Sequence, residues 1–232
     1  MGDPTKKEKL GIRLYLKSCA IFLVFILVTF LTAGRLDYWQ GWVFNILNIL
    51  FILFTYIALI NHKDVIKERL KPGEGIKPWD RLYYWVSTPM FFIMFILSIL
   101  DGARFLWNPT LPFFMVLVGI FLYCVGQVVL LWAKRTNRFF SSVVRIQTDR
   151  GQTVCTNGPY RFIRHPGYLG GLIFTFGTPL MLGSYWGLLP AVLSLFILIW
   201  RTSLEDSTLQ KELPGYRQYT MQVKYRLIPF LW

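Results

Sequence analysis

Five long blocks without a charged residue interrupt an otherwise strongly basic chain: Ser18–Gly34 (17 residues), Tyr38–Asn61 (24), Leu82–Leu100 (19), Leu111–Ala133 (23) and Pro166–Trp200 (35). A helix rises about 1.5 Å per residue, so about 20 apolar residues cross the hydrocarbon of a bilayer. The first block is short for that, but Lys17 can snorkel to extend it. The second opens on Tyr38, Trp39 and Trp42, aromatic residues suited to a membrane interface. Pro109 and Pro112 stand near the start of the fourth, where a missing amide costs least. The last block would make a helix of about 52 Å, too long for one crossing. Midway it carries Gly183-Ser184-Tyr185-Trp186-Gly187, flanked by Pro179 and Pro190. This is turn chemistry with an aromatic anchor, and it predicts a tight hairpin of two short helices. One long tilted or re-entrant helix is the competing reading. The pattern therefore predicts an all-α, polytopic transmembrane bundle of about six spans that ends in a helical hairpin.

Lys6, Lys7, Lys9, Arg13 and Lys17 precede the first apolar run and give it the look of a signal peptide. Ala33-Gly34-Arg35 offers no clean small-x-small cleavage site and further spans follow, so the segment is read as a retained first helix. The 232 residues are 54% hydrophobic and 18% aromatic, which excludes a disordered chain. That length leaves no room for a separate soluble catalytic domain, and residues 1–232 are read as one integral membrane domain.

A net charge of +13 fits either nucleic-acid binding or membrane topology, and its distribution decides between them. With six spans, five basic residues lie in the N-terminal arm, six in 61–81, seven in 133–166 and five from Arg201 onward, all on one side. Only Arg35 and Arg104 fall on the other. The positive-inside rule makes the basic side, with both termini, cytoplasmic, and no nucleic acid is needed to explain the charge. Five spans would split these clusters across both faces. The cytoplasmic pieces are then His62–Arg81, Lys134–His165 and Arg201–Trp232. Cys19, Cys124 and Cys155 show no C-x-x-C spacing, and His62 and His165 are the only histidines, so no disulfide framework or metal centre is indicated.

Two polar clusters flank the predicted hairpin. The first is Asn157-Gly158-Pro159-Tyr160-Arg161-Phe162-Ile163-Arg164-His165-Pro166-Gly167-Tyr168. Pro166 suits the first turn of a helix, which sets Arg164 and His165 at its N-terminal mouth with Tyr168 one turn in. A positive helix end beside Arg164 favours an anionic group. Membrane anchoring by Arg and Tyr is the simpler alternative, although it gives histidine no role. The second cluster holds Arg201, Glu205, Asp206, Leu209 and Glu212, then Leu213-Pro214-Gly215-Tyr216 and Tyr219. Arg201 and Glu205 share one helix face, where a plain ion pair is the simpler alternative to binding a cationic ligand. A hairpin that folds back brings both clusters to one interface.

The run from Gly158 through Gly170 resembles the signature of the isoprenylcysteine carboxyl methyltransferase family. Arg201-x3-Glu205-Asp206-x2-Leu209, Gly215-Tyr216-x2-Tyr219 and Tyr225-Arg226-Leu227-Ile228-Pro229 follow in the family's order and spacing. The resemblance covers residues 120–232, and Lys77-Pro78-Trp79-Asp80 resembles prokaryotic members. Arg-His-Pro alone also recurs in phospholipid methyltransferases and sterol reductases. The resemblance implies S-adenosylmethionine as methyl donor and a lipophilic acceptor that arrives through the bilayer, such as the carboxylate of a prenylcysteine. It places Tyr160, Arg164, His165, Tyr168, Leu169, Glu205, Asp206, Tyr216 and Tyr219 at the cofactor, and gives catalytic roles to Arg201 and Glu205. Asp206 stands where many relatives have a second glutamate. The nucleotide fingerprint of soluble methyltransferases is absent. A phospholipid or small amine or thiol acceptor, an NADPH-dependent reductase of the sterol type, and a non-catalytic lipid-binding protein are the alternatives.

Overall fold

The computed structural model describes residues 22–70, 72–107 and 109–232. The basic arm through Lys17, Cys19 and the start of the first apolar block lie outside the described residues. Every regular element among the described residues is helical: α1 (Phe22–Ala33), α2 (Trp39–Leu59), α3 (Lys63–Leu70), α4 (Pro78–Ile99), α5 (Phe113–Thr136), α6 (Pro166–Met181), α7 (Leu188–Glu212) and α8 (Tyr216–Gln222). Four helical stretches, α2, α4 with its continuation to Phe105, α5 and α7, are long and apolar enough to cross a bilayer, and α1 and α6 are shorter. Many large apolar side chains point outward, among them Leu31, Phe121 and Phe196. Such exposure suits a chain whose solvent is lipid.

The helices run up and down between two ends. At one end Tyr38 donates to the Leu182 carbonyl (2.5 Å), and Arg104 donates to the carbonyls of Leu31 and Thr32 (3.2 and 3.3 Å). Phe30, Tyr38, Phe44, Phe95, Ile99 and Met181 form the main core beneath. Arg35 and Arg104 are the basic residues of this end. The opposite end gathers α3, the connector 137–165 and the C-terminal segment, and with them the remaining described cations. The structure thus divides the charge as the sequence does.

α4 starts on Pro78 and carries Asp80 in its first turn, both favourable at a helix N-terminus. It ends in a π-helical turn, Leu100–Phe105, whose buried Asp101 reaches across to the hairpin. One Asp101 oxygen accepts from the Ser184 hydroxyl (2.7 Å) and from the amides of Tyr185 and Trp186 (3.1 and 3.2 Å). The α6–α7 turn is therefore capped by a carboxylate from another helix.

The hairpin forms where Gly183, at φ +77°, lets the chain reverse. Its arms are unequal, unlike the two short helices expected. α6 has 16 residues, about 24 Å, whereas α7 has 25, about 37 Å, and continues beyond Arg201. Between Arg201 and Glu212 nothing breaks a helix, and the first proline is Pro214. α6 lies against α5 along facing glycines. A Cβ on Gly126 would sit 2.5 Å from the Phe174 amide, and one on Gly170 2.6 Å from the Gly126 carbonyl. Gly119 and Gly177 repeat the approach a few turns away. Small residues let membrane helices touch backbone to backbone.

Candidate active site

The first polar cluster is shaped by backbone. A 3-10 turn, Gly158–Arg161, begins with Gly158 at φ +55° against Thr136 and Trp132. The chain then runs extended, and the amides of Arg164 and His165 donate to the carbonyls of Tyr225 (3.0 Å) and Arg226 (2.9 Å). The Tyr-Arg-Leu-Ile-Pro run near the C-terminus thus pairs with the Arg-His-Pro run. Pro166 starts α6, and Tyr168 stacks parallel to His165 with ring centroids 5.5 Å apart. From α7 come Arg201, Glu205 and Asp206. α8 closes over them, with the Tyr219 hydroxyl on the Tyr160 carbonyl (2.7 Å) and that of Tyr216 on Asp206 (3.1 Å).

These elements surround a partly open cleft that Tyr160, Arg164, His165, Tyr168, Glu205, Tyr216 and Tyr219 line together with connector residues. Seven of the residues expected at the cofactor therefore meet in one place. The Tyr168 hydroxyl donates to Glu205. Arg164 is buried, and its Nε has no hydrogen-bond partner among the described residues. Burial pushes the phenols of Tyr160, Tyr216 and Tyr219 above their usual range, so all three are neutral hydrogen-bonding walls.

Two expected cofactor residues lie elsewhere. Asp206 is fully buried behind the wall. It accepts from Tyr216, from Gln210 (2.8 Å) and from Arg226 (3.1 Å), and it lies 3.3 Å from Arg164 and 3.4 Å from His165. It ties α7, α8 and the C-terminal segment to the Arg-His-Pro run. Leu169 packs into an apolar cluster with Leu172, Leu198 and Leu227.

Arg201 does not pair with Glu205. Its Nε donates to Asp80 (2.8 Å) and a terminal nitrogen to the Ser142 carbonyl (2.9 Å). Its guanidinium lies over Tyr83 (4.2 Å), Tyr168 (5.0 Å) and Tyr84 (5.2 Å). The second Asp80 oxygen accepts from the Val144 amide (2.8 Å), and the Lys77 amide donates to the Val144 carbonyl (3.0 Å). Asp80 thus fixes both Arg201 and the connector that roofs the first cleft. Sequence reasoning missed this carboxylate and Tyr83 and Tyr84, although the Lys-Pro-Trp-Asp run pointed to the region. Arg201 lines a second, open cleft between α4, α6 and α7, walled by Tyr83, Tyr84, Phe91, Leu172 and Leu198. Gly167 and Tyr168 border both clefts.

Comparisons with known proteins cover part of this region. The model of the family described as phospholipid methyltransferase matches residues 114–214, which span α5, α6 and nearly to the start of α8. A rice protein named probable protein-S-isoprenylcysteine O-methyltransferase is 40% identical over 70 residues, 30% of this chain and 37% of its own length. The protein-S-isoprenylcysteine O-methyltransferase of Schizosaccharomyces pombe is 25% identical over 112 residues, 48% of this chain and 41% of its own. An Arabidopsis thaliana protein, protein-S-isoprenylcysteine O-methyltransferase A, is 35% identical over 65 residues, 28% and 33% of the two chains. The matches thus span about two fifths or less of the curated relatives' length. The fold is that of a helical integral membrane protein, and over residues 114–214 the chain is similar to the phospholipid methyltransferase family. The curated relatives it matches in part are named as isoprenylcysteine O-methyltransferases, the family its motifs resemble.

Proposed function

We propose that the protein transfers a methyl group from S-adenosylmethionine to the carboxylate of a prenylcysteine-like acceptor that enters from the membrane. The observation that carries this reading is the pair of clefts meeting at Gly167 and Tyr168, one polar and one mostly apolar with Arg201 in its wall. The basic end, which holds the polar cleft, faces the cytoplasm on this reading, with six helices crossing.

The polar cleft suits the methyl donor by the chemistry of its side chains. Glu205 offers a carboxylate to an ammonium group, the unpartnered Nε of Arg164 offers a hydrogen bond to a carboxylate, and the tyrosine rings offer faces to a sulfonium. When bound, S-adenosylmethionine supplies a methyl group made electrophilic by that sulfonium. The N-terminus of α6 opens on the same cleft and adds a partial positive charge for the carboxylate.

Arg201 acts on the acceptor side. Held by Asp80 and Ser142 and stacked among three tyrosines, it presents a fixed cation where a chain in the apolar cleft ends. A carboxylate pairs with such a group in a defined orientation, and alignment is what a displacement at carbon needs most. The acceptor is already ionised at neutral pH, so no general base is required. Tyr168, shared by both clefts and hydrogen-bonded to Glu205, couples the occupancy of one to the shape of the other. Closure by α8 and the C-terminal segment excludes water, which strengthens these charge interactions.

Incubating the purified protein with methyl-labelled donor and an S-prenylated cysteine tests the proposal. The label is expected in a base-labile ester, and an acceptor with its carboxylate capped as an amide should take up none. Equal labelling of the capped acceptor would contradict it.

A further inference from the structure

A third, open cleft lies away from both others, between α2, α3 and α5. Phe51, Ile52, Thr55 and Tyr56 form an apolar wall, with Ile52 and Tyr56 about half exposed toward the surrounding lipid. At its basic end stand Arg69 of α3 and Lys134 of α5. Neither has an ion-pair or hydrogen-bond partner among the described residues. The acids of α3 are engaged elsewhere: Asp64 with Arg150 (2.9 Å) and Arg138 (3.8 Å), and Glu68 with Arg145 (2.8 Å). Two cations thus share the mouth of an apolar groove with no anion to offset them, an arrangement that is costly unless a partner supplies the charge. Gln127, two turns from Lys134 on the same face, adds a polar position deeper in the wall.

We propose that this cleft binds an anionic phospholipid, with its phosphate between Arg69 and Lys134 and an acyl chain along Phe51, Ile52, Thr55 and Tyr56. One aromatic ring links the site to the polar cleft. The Arg69 guanidinium lies 5.4 Å over the Phe140 ring, and Phe140 lines the polar cleft against Gly167. A lipid that fixes Arg69 steadies that wall.

Delipidated protein in a non-ionic detergent can be titrated with short-chain phosphatidylglycerol, short-chain phosphatidylcholine and inorganic phosphate while the thermal midpoint is followed. Phosphatidylglycerol is expected to raise the midpoint at lower concentration than phosphatidylcholine. Arg69→Met and Lys134→Met should each weaken its effect about fivefold, the worth of one basic residue at a lipid headgroup. Ile52→Trp, which fills the groove and leaves both charges, should abolish the preference for the acylated ligand, so the test survives if a charge variant fails to fold. Equal response to the two lipids, or an unchanged response in all three variants, would overturn the proposal. A full response to inorganic phosphate would overturn the lipid in favour of a free-anion site. None of these readouts depends on methyl transfer.

Discussion

Glu205 and Asp206 are neighbours in the chain with opposite surroundings. Successive helical residues point about 100° apart. Glu205 therefore faces the polar cleft, and Asp206 faces inward to Arg164, His165, Tyr216 and Arg226. The two positions should fail differently. Glu205→Gln is expected to weaken binding of the methyl donor or its demethylated product at least tenfold while leaving the thermal midpoint near that of the wild type, which calorimetry and a melting curve separate. Asp206→Asn leaves buried cations uncompensated and should cost about 3–5 kcal/mol of stability. Asp80 is a positioning residue. Asp80→Asn should keep product binding but lower kcat, because Arg201 loses its anchor, and kcat should fall more than donor KM rises. The Arg-His-Pro and Arg-x3-Glu clusters could be singled out because they stand at the two ends of the hairpin and because anchoring gives histidine no role. Asp80 was not, since one acid in the first turn of a helix reads as ordinary capping, and its partner lies 121 residues away.

The helix pair α5–α6 carries the site, because the Arg-His-Pro run stands at the start of α6 and the glycine contact sets its height. Gly126→Leu should separate the helices and cost at least 1–3 kcal/mol by overpacking, read as a lowered thermal midpoint with product binding reduced in parallel. The connector depends on a different device. The buried Arg145 guanidinium makes two bonds to Glu68 of α3, 2.9 and 2.8 Å, and two to Asp149. Hydrogen bonding from Arg145 holds the Glu68 carboxyl below its usual range. A depressed carboxylate contributes stability above its unfolded pKa of about 4.3 and loses it as pH falls through its lower folded value. Wild type should therefore lose stability steeply on acidification below about pH 4, and Glu68→Gln should be weaker at neutral pH with a flatter profile. The hairpin was readable from Gly183–Gly187. Its unequal arms were not, because a charge run marks the bilayer edge and not the end of a helix.

Among the described residues, four helices are long and apolar enough to cross a bilayer, and the basic side chains are unevenly placed. The described cations collect at one end apart from Arg35 and Arg104, as the apolar blocks alone suggested. That uneven placement was legible because apolar length and clustered charge stand out in a sequence. The apolar second cleft was not, since Phe, Leu and Ile in a span look alike whether they face lipid or line a path. The architecture places a polar pocket at the basic end and opens an apolar groove beside it, with Tyr168 between. Titrating S-adenosylhomocysteine into the intact purified protein by calorimetry measures the polar pocket directly. Saturable binding that Glu205→Gln weakens is the expected result. No binding to a protein that still melts cooperatively, or equal binding to the variant, would contradict the account.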